Sequence, residues 1–217
     1  MKPLVLGRVR HAVIVAPHPD DEAIGAYGLI RTLKAKAARV RVVIVTDGTG
    51  SHPNSARWPS ARLAARRRRE TLSVLRAIGI AKREVDFLGL PDGALSDLAR
   101  CQRLDLRRAI GRLRCDLLVL PARDDDHPDH RAVAAIARRA MGGRTLEYLV
   151  WPNRRSCSRS ASHVLRLGAM AAAKRGAIRR YRSQTGAITD DPGGFTISRD
   201  ELAAFARPAE RFREIRR

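Results

Sequence analysis

Residues 12–16 read Ala-Val-Ile-Val-Ala, an unbroken apolar run that stops at Pro17. A run with no polar alternation fits a strand covered on both faces, the situation inside a parallel sheet flanked by helices. The rest of the chain keeps the same rhythm. Strands are expected at residues 11–16, 39–46, 84–88, 116–120 and 146–151, with a short one at 164–167. Helical spacing and stop signals place helices at residues 22–38, 60–79, 96–112, 129–141 and 170–183, and a last helix is expected to run to residue 217. This alternation predicts an α/β fold in one domain, with a mostly parallel sheet and helices on both faces. Residues 1–10 are expected as a basic lead-in.

The chemistry is concentrated where two of these strands end. The first runs into Pro17-His18-Pro19-Asp20-Asp21-Glu22, and the fourth into Asp124-Asp125-Asp126-His127-Pro128-Asp129-His130. Crowded carboxylates repel one another unless a cation or a bound proton offsets their charge. Both clusters lie past the carboxyl end of an apolar strand, the edge at which open α/β sheets bind ligands. His18 and Asp21 are three residues apart, so one turn of backbone points both the same way, and His130 completes a His-His-Asp set. Two neutral imidazoles and a carboxylate suit one zinc ion per chain with a position left for water. Iron(II) or another divalent ion accepts the same donor types. Asp20, adjacent yet spare, suits a general base, and His127 is placed to stabilise an oxyanion or protonate a leaving amine. Asp129 is expected to orient one of the histidines. Helix capping accounts for Glu22 and Asp129 singly but not for two clusters with His and Asp at matching places.

The net charge of +21 raises the question of an anionic partner, but aromatics are only 4% of the chain and offer no base-stacking platform. Arginine is spread along the whole length rather than gathered in a tail, which reads as a compositional bias with a general attraction to anionic surfaces. Specific nucleic-acid binding has no supporting motif. Three dispersed cysteines, Cys101, Cys115 and Cys157, make no disulfide framework. No apolar run is long enough for a membrane span, so the expected compartment is the cytoplasm.

The paired motifs Pro17-His18-Pro19-Asp20-Asp21-Glu22 and His127-Pro128-Asp129-His130 resemble those of the PIG-L/LmbE-like family of metal-dependent de-N-acetylases. Further likeness lies in Thr46-Asp47-Gly48, in Arg67-x-x-Glu70 with Ile78-Gly79, and in Leu90-Pro91-Asp92-Gly93. Lys174-x-x-Ala177-Ile178-x-x-Tyr181-x-Ser183-Gln184 extends it to residue 184, with a weaker echo at Glu210-x-Phe212. The resemblance implies a Rossmann-like fold over residues 11–217, zinc on His18, Asp21 and His130, Asp20 as general base, and His127 as its electrostatic or acid partner. It also implies hydrolysis of an N-acetyl group from an N-acetylglucosamine-type sugar or glycoconjugate. A hydrolase of another amide or ester remains the alternative, with a basic nucleic-acid or anion-binding protein behind it; the aglycone and the oligomeric state are left open.

Further substrate contacts are expected from Arg67, on the family's Arg-x-x-Glu pattern, and from Asp47 and His52 in the loop after the second strand. Lys174, Tyr181 and Gln184 are expected on one face of one helix, lining or flooring the pocket. The remaining arginines of the 66–69 run are expected to be solvated or paired. Trp58 and Trp151 are expected to pack or to stack on a sugar, and Cys157 is expected in a Ser/Arg-rich surface loop at residues 154–160.

Overall fold

A computed structural model describes residues 1–138, 143–150 and 161–215. In chain order the strands and helices are β1 (Lys2–Pro3), β2 (His11–Ala16), α1 (Asp21–Gly25), α2 (Tyr27–Ala35) and β3 (Arg39–Thr46). Then come α3 (Ser60–Ala77), β4 (Val85–Leu90), α4 (Arg100–Gly111), β5 (Leu117–Pro121), α5 (Pro128–Ala137) and β6 (Arg144–Tyr148). β7 (His163–Arg166), α6 (Met170–Arg179), α7 (Arg199–Phe205) and β8 (Ala209–Ile215) follow. Trp151, Cys157 and the loop at 154–160 lie outside the described residues. No helix among the described residues is long and apolar enough to cross a membrane.

The strands form one sheet in the order β1-β7-β8-β6-β5-β2-β3-β4. Neighbours are parallel except β8, which runs antiparallel between β6 and β7. The central strands are apolar throughout because both faces are covered. Ala12, Ile14 and Ala16 face one layer with Leu29, Ile30 and Leu33 of α2, while Val13 and Val15 face the other with Leu106 of α4 and Val133 of α5. Leu29, Ile30 and Leu33 are fully buried, and each such side chain stabilises the fold by about 1.5–3 kcal/mol. β2 pairs with β3 on one side and β5 on the other, so the chain departs in opposite directions from the ends of β2 and β5. That divergence opens a crevice at the carboxyl edge.

Four expectations are corrected. The helix at 22–38 is broken at Ala26: the carboxylate of Glu210 on β8 accepts from the amides of Gly28 (2.8 Å) and Leu29 (3.0 Å), giving α2 its own capped start. The last segment does not end as a helix. In β8 the side chains of Glu210 and Phe212 are buried in alternation, which is strand periodicity. The helix at 170–183 stops at Arg179, because Tyr181 leaves helical geometry and a short 3-10 turn, Arg182–Gln184, follows. The first ten residues are more than a lead-in, since β1 pairs with β7 and Leu6 is buried.

Candidate active site

Pro17 ends β2, and the chain then turns sharply into α1. Asp20 sits in that turn with φ of 141°, a backbone region that side chains other than glycine rarely adopt and that costs about 1–3 kcal/mol. Surrounding contacts hold it there. Its amide donates to Glu22 Oε2 (3.1 Å), and Arg67 donates to Pro19 O (2.8 Å) and to Asp20 Oδ2 (3.2 Å). Glu22 is fully buried and accepts from the Tyr181 hydroxyl through its other oxygen.

The turn brings His18 and Asp21 to face His130 on α5. His18 Nδ1 lies 3.2 Å from Asp21 Oδ2, His130 Nε2 lies 3.1 Å from that same oxygen, and the two imidazole nitrogens are 3.3 Å apart. A tetrahedral ion with bonds of about 2.0–2.1 Å sets its ligands about 3.3 Å apart, so the three atoms have the spacing of one face of such a site. Each imidazole also has carboxylate behind it. His18 Nε2 contacts Asp92 Oδ1 (3.0 Å) and bonds to Asp129 Oδ2 (3.2 Å), and Asp125 Oδ2 stands 3.2 Å from His130 Nδ1, at ion-pair distance without hydrogen-bond geometry. A proton held at His18 Nε2 leaves Nδ1 free as a donor to a metal, and the carboxylate of Asp125 favours the same arrangement at His130.

The electrostatics point the same way. Burial lowers His18 and His130, yet the surrounding carboxylates outweigh it, raising His18 well above its ordinary value and His130 to about 9. Burial pushes Asp21 upward, but His130 and His18 hold it well below the usual carboxylate range. A buried field that so favours positive charge fits a divalent cation. Burial raises Asp20 to about 7 against the pull of Arg67. His127 is lowered to about 4 by burial and by the charge of His18 and His130. Its Nδ1 accepts the Asp129 amide (3.2 Å), which puts the ring proton on Nε2. The ring nitrogens of His18, His127 and His130 lie within 4.8 Å of one another.

These groups line a cleft of about 200 Å³, shared with Arg67, Asp92 and Gln184. Arg67 is 2% exposed, and its other contacts are to Gly48 O at 2.7 Å and to Asp92 Oδ2 at 4.0 Å, so its guanidinium braces Asp20 and the loops beside it. Its neighbours in the arginine run do what the helix dictates: Arg66 pairs with Glu70 at 2.7 Å and Arg68 lies over the Phe87 ring. Trp58 packs under Arg62 rather than at the cleft.

Asp129 lies where it was expected to orient a histidine: it is wholly buried behind His18 and also accepts from the amides of Gly93 and Leu95. Several expected substrate contacts lie elsewhere. Asp47 closes a local turn on Thr49. His52 is buried, 2% exposed, with Nδ1 on Ser51 Oγ. Lys174 pairs at 3.0 Å with Glu210, the carboxylate at the start of α2, and Tyr181 is committed to Glu22. The three residues expected on one helix face thus point to three places, and Gln184 alone of them reaches the cleft. Two residues that contact the histidines, Asp92 and Asp125, were absent from the expected set. Asp92 had a legible signal, since its Pro-Asp-Gly turn follows a strand just as the two clusters do, and Asp125 lay unassigned within the second cluster.

Residues 13–141 match the PIG-L family, described as GlcNAc-PI de-N-acetylase. A 2'-N-acetylparomamine deacetylase of Streptomyces fradiae is 29% identical over 146 residues, covering 60% of this chain and 52% of that protein. The chain thus spans about half the length of this curated relative. Among solved structures, an N,N'-diacetylchitobiose deacetylase from Pyrococcus horikoshii superposes with a TM-score of 0.77 at 22% identity, over 95% of this chain and 84% of the other. A 4-carboxy-2-hydroxymuconate hydratase from Pseudomonas putida gives 0.72 at 15% identity, over 96% and 97% of the two chains. Such structural likeness establishes the shared fold, and the hydratase illustrates that the fold carries more than one reaction.

Proposed function

The chain belongs to the PIG-L family, and from that premise and the site's geometry we propose that it is a metal-dependent hydrolase that removes the acetyl group from an N-acetylated amino sugar or its conjugate. The observation that carries this reading is the triangle of His18 Nδ1, Asp21 Oδ2 and His130 Nε2, with sides of 3.1–3.3 Å. Two imidazoles and one carboxylate suit zinc best, though iron(II) takes the same donors. When bound there, the metal makes water acidic and polarises the acyl oxygen.

The chain's own residues do the rest. Asp20, held beside the triangle by Arg67 and by Glu22, takes a proton from the attacking water. His127, neutral and protonated at Nε2, donates to the oxygen on which negative charge develops. The proton on Asp20 passes to the nitrogen as the C–N bond breaks, giving acetate and the free amine. Asp129 and Asp92 hold His18, and Asp125 holds His130. The sparse cysteines suit a cytoplasmic reaction, and the excess of arginine suits attraction of the chain to anionic surfaces.

Acetate release from N-acetylglucosamine derivatives by the metal-loaded chain, with an ester and a second amide as comparison substrates, tests this reading. Ester turnover without acetamide turnover overturns it.

A further inference from the structure

The cleft has two unlike walls. One carries the His/Asp groups; the other is built from Ile24, Phe195, Ile197 and Phe205. Three of these four come from the region beyond residue 184, which the sequence left without a role. Phe195 is 37% exposed, whereas Ile197 and Phe205 are buried. Ligand clefts are lined mainly by apolar and aromatic side chains around a few placed polar groups, and this cleft has both.

The wall is also held firmly. The Phe195 amide donates to Ser51 O at 2.7 Å, and the Ile197 amide to Gln184 O at 2.7 Å. The loop leading into it is fastened by Asp190, which accepts from the Ser55 hydroxyl (2.9 Å) and the Arg57 amide (2.8 Å), and by Asp191, which accepts from the Asn54 amide (2.9 Å). Gly194 lies so close to His52 that a Cβ would stand 2.3 Å from the ring, which assigns His52 to supporting this loop. Meanwhile Gln184 Nε2 is directed to Ser51 Oγ (3.3 Å), so two of the few polar groups beside the wall are engaged with each other.

We propose that the substrate is amphipathic: an N-acylated amino sugar carrying an apolar alkyl or aryl substituent that packs against Phe195, Ile197 and Phe205. This rests on the amide-hydrolase reading above. The apolar group comes either from an acyl chain longer than acetyl or from the aglycone.

Two substrate series offered to the metal-loaded full chain test it: N-acyl glucosamines from acetyl to hexanoyl, and N-acetylglucosaminides with methyl, hexyl and phenyl aglycones. In one series kcat/KM is expected to rise roughly tenfold for every two methylenes that reach the wall; the series that responds identifies the source. F195S should collapse that preference toward parity, and the milder I197T should weaken it, with metal content and circular dichroism verifying that both variants fold. Calorimetric binding of hexyl glucosaminide and of hexanoate should show the same ranking without turnover. Hydrolysis of all members within twofold of one another, or a preference that survives both variants, overturns the proposal while leaving the hydrolase reading intact. Failure of every N-acyl sugar to react overturns that reading and this proposal together.

Discussion

His18 Nδ1 and His130 Nε2 stand 3.3 Å apart, although 112 residues separate them in the chain. Two strand ends on either side of the sheet's divergence point make that approach, and a carboxylate behind each ring sets which nitrogen faces the other. Removing those carboxylates should loosen the metal before it disturbs the fold. D125N and D129N are each expected to lower metal affinity about 10–100-fold, read by competition with a chromophoric chelator. Unchanged affinity in both would mean that the far nitrogens do not matter.

D20N should retain its metal and lose activity by about 10²–10⁴ in kcat, the usual contribution of a positioned acid–base group. A loss of only a few-fold, with full metal content, would remove Asp20 from the role of base.

Gly48 links backbone geometry to the site. Its φ is +74°, and a Cβ there would lie 2.7 Å from Arg67 Nη1 and 2.8 Å from Arg67 Cδ. G48A is therefore expected to cost about 1–2 kcal/mol through the left-handed backbone alone, lowering Tm by about 2–8 °C. Because Arg67 braces Asp20, kcat should fall as well. An unchanged Tm with wild-type kcat would contradict the bracing.

Burial raises Glu22 to about 8, from an ordinary value of 4.5, in spite of the hydrogen bond from Tyr181. A carboxyl whose pKa rises on folding favours the folded state most while both states are protonated. That stability is present below about pH 4.5 and is lost as pH climbs through about 8, at about 1.4 kcal/mol for each pH unit crossed. Chelator-treated protein should therefore show a falling Tm across this window, and E22Q should lessen the fall, leaving the share of Asp20 and His130, which are raised in the same sense. An identical slope in E22Q would place the titrating group elsewhere.

What was legible in the sequence was whatever local pattern decides. β3 spans Arg39–Thr46, the bounds expected from its apolar residues, and the two His/Asp clusters sit past the strand ends where the sequence places them. What was not legible depended on partners far away in the chain. The break at Ala26 follows from Glu210, 182 residues from Gly28, reaching into the helix. The seven-residue and three-residue spacings of Lys174, Tyr181 and Gln184 suggested one face, but the helix ends between the first and second of them. Asp92 gained its place only because β4 lies next to β3 in the sheet, which brings its following turn to His18.

Everything proposed for the reaction depends on His18, Asp21 and His130 holding a metal that the hydrolysis requires. The most direct measurement is metal content by plasma mass spectrometry on the full chain and on H18A, D21A and H130A, alongside acetate release before and after chelation and reloading. The expected result is one zinc or iron equivalent per chain, little or none in the variants, and activity that disappears with the metal and returns with it. Full acetate release from the chelated protein, or undiminished metal in all three variants, would contradict the account.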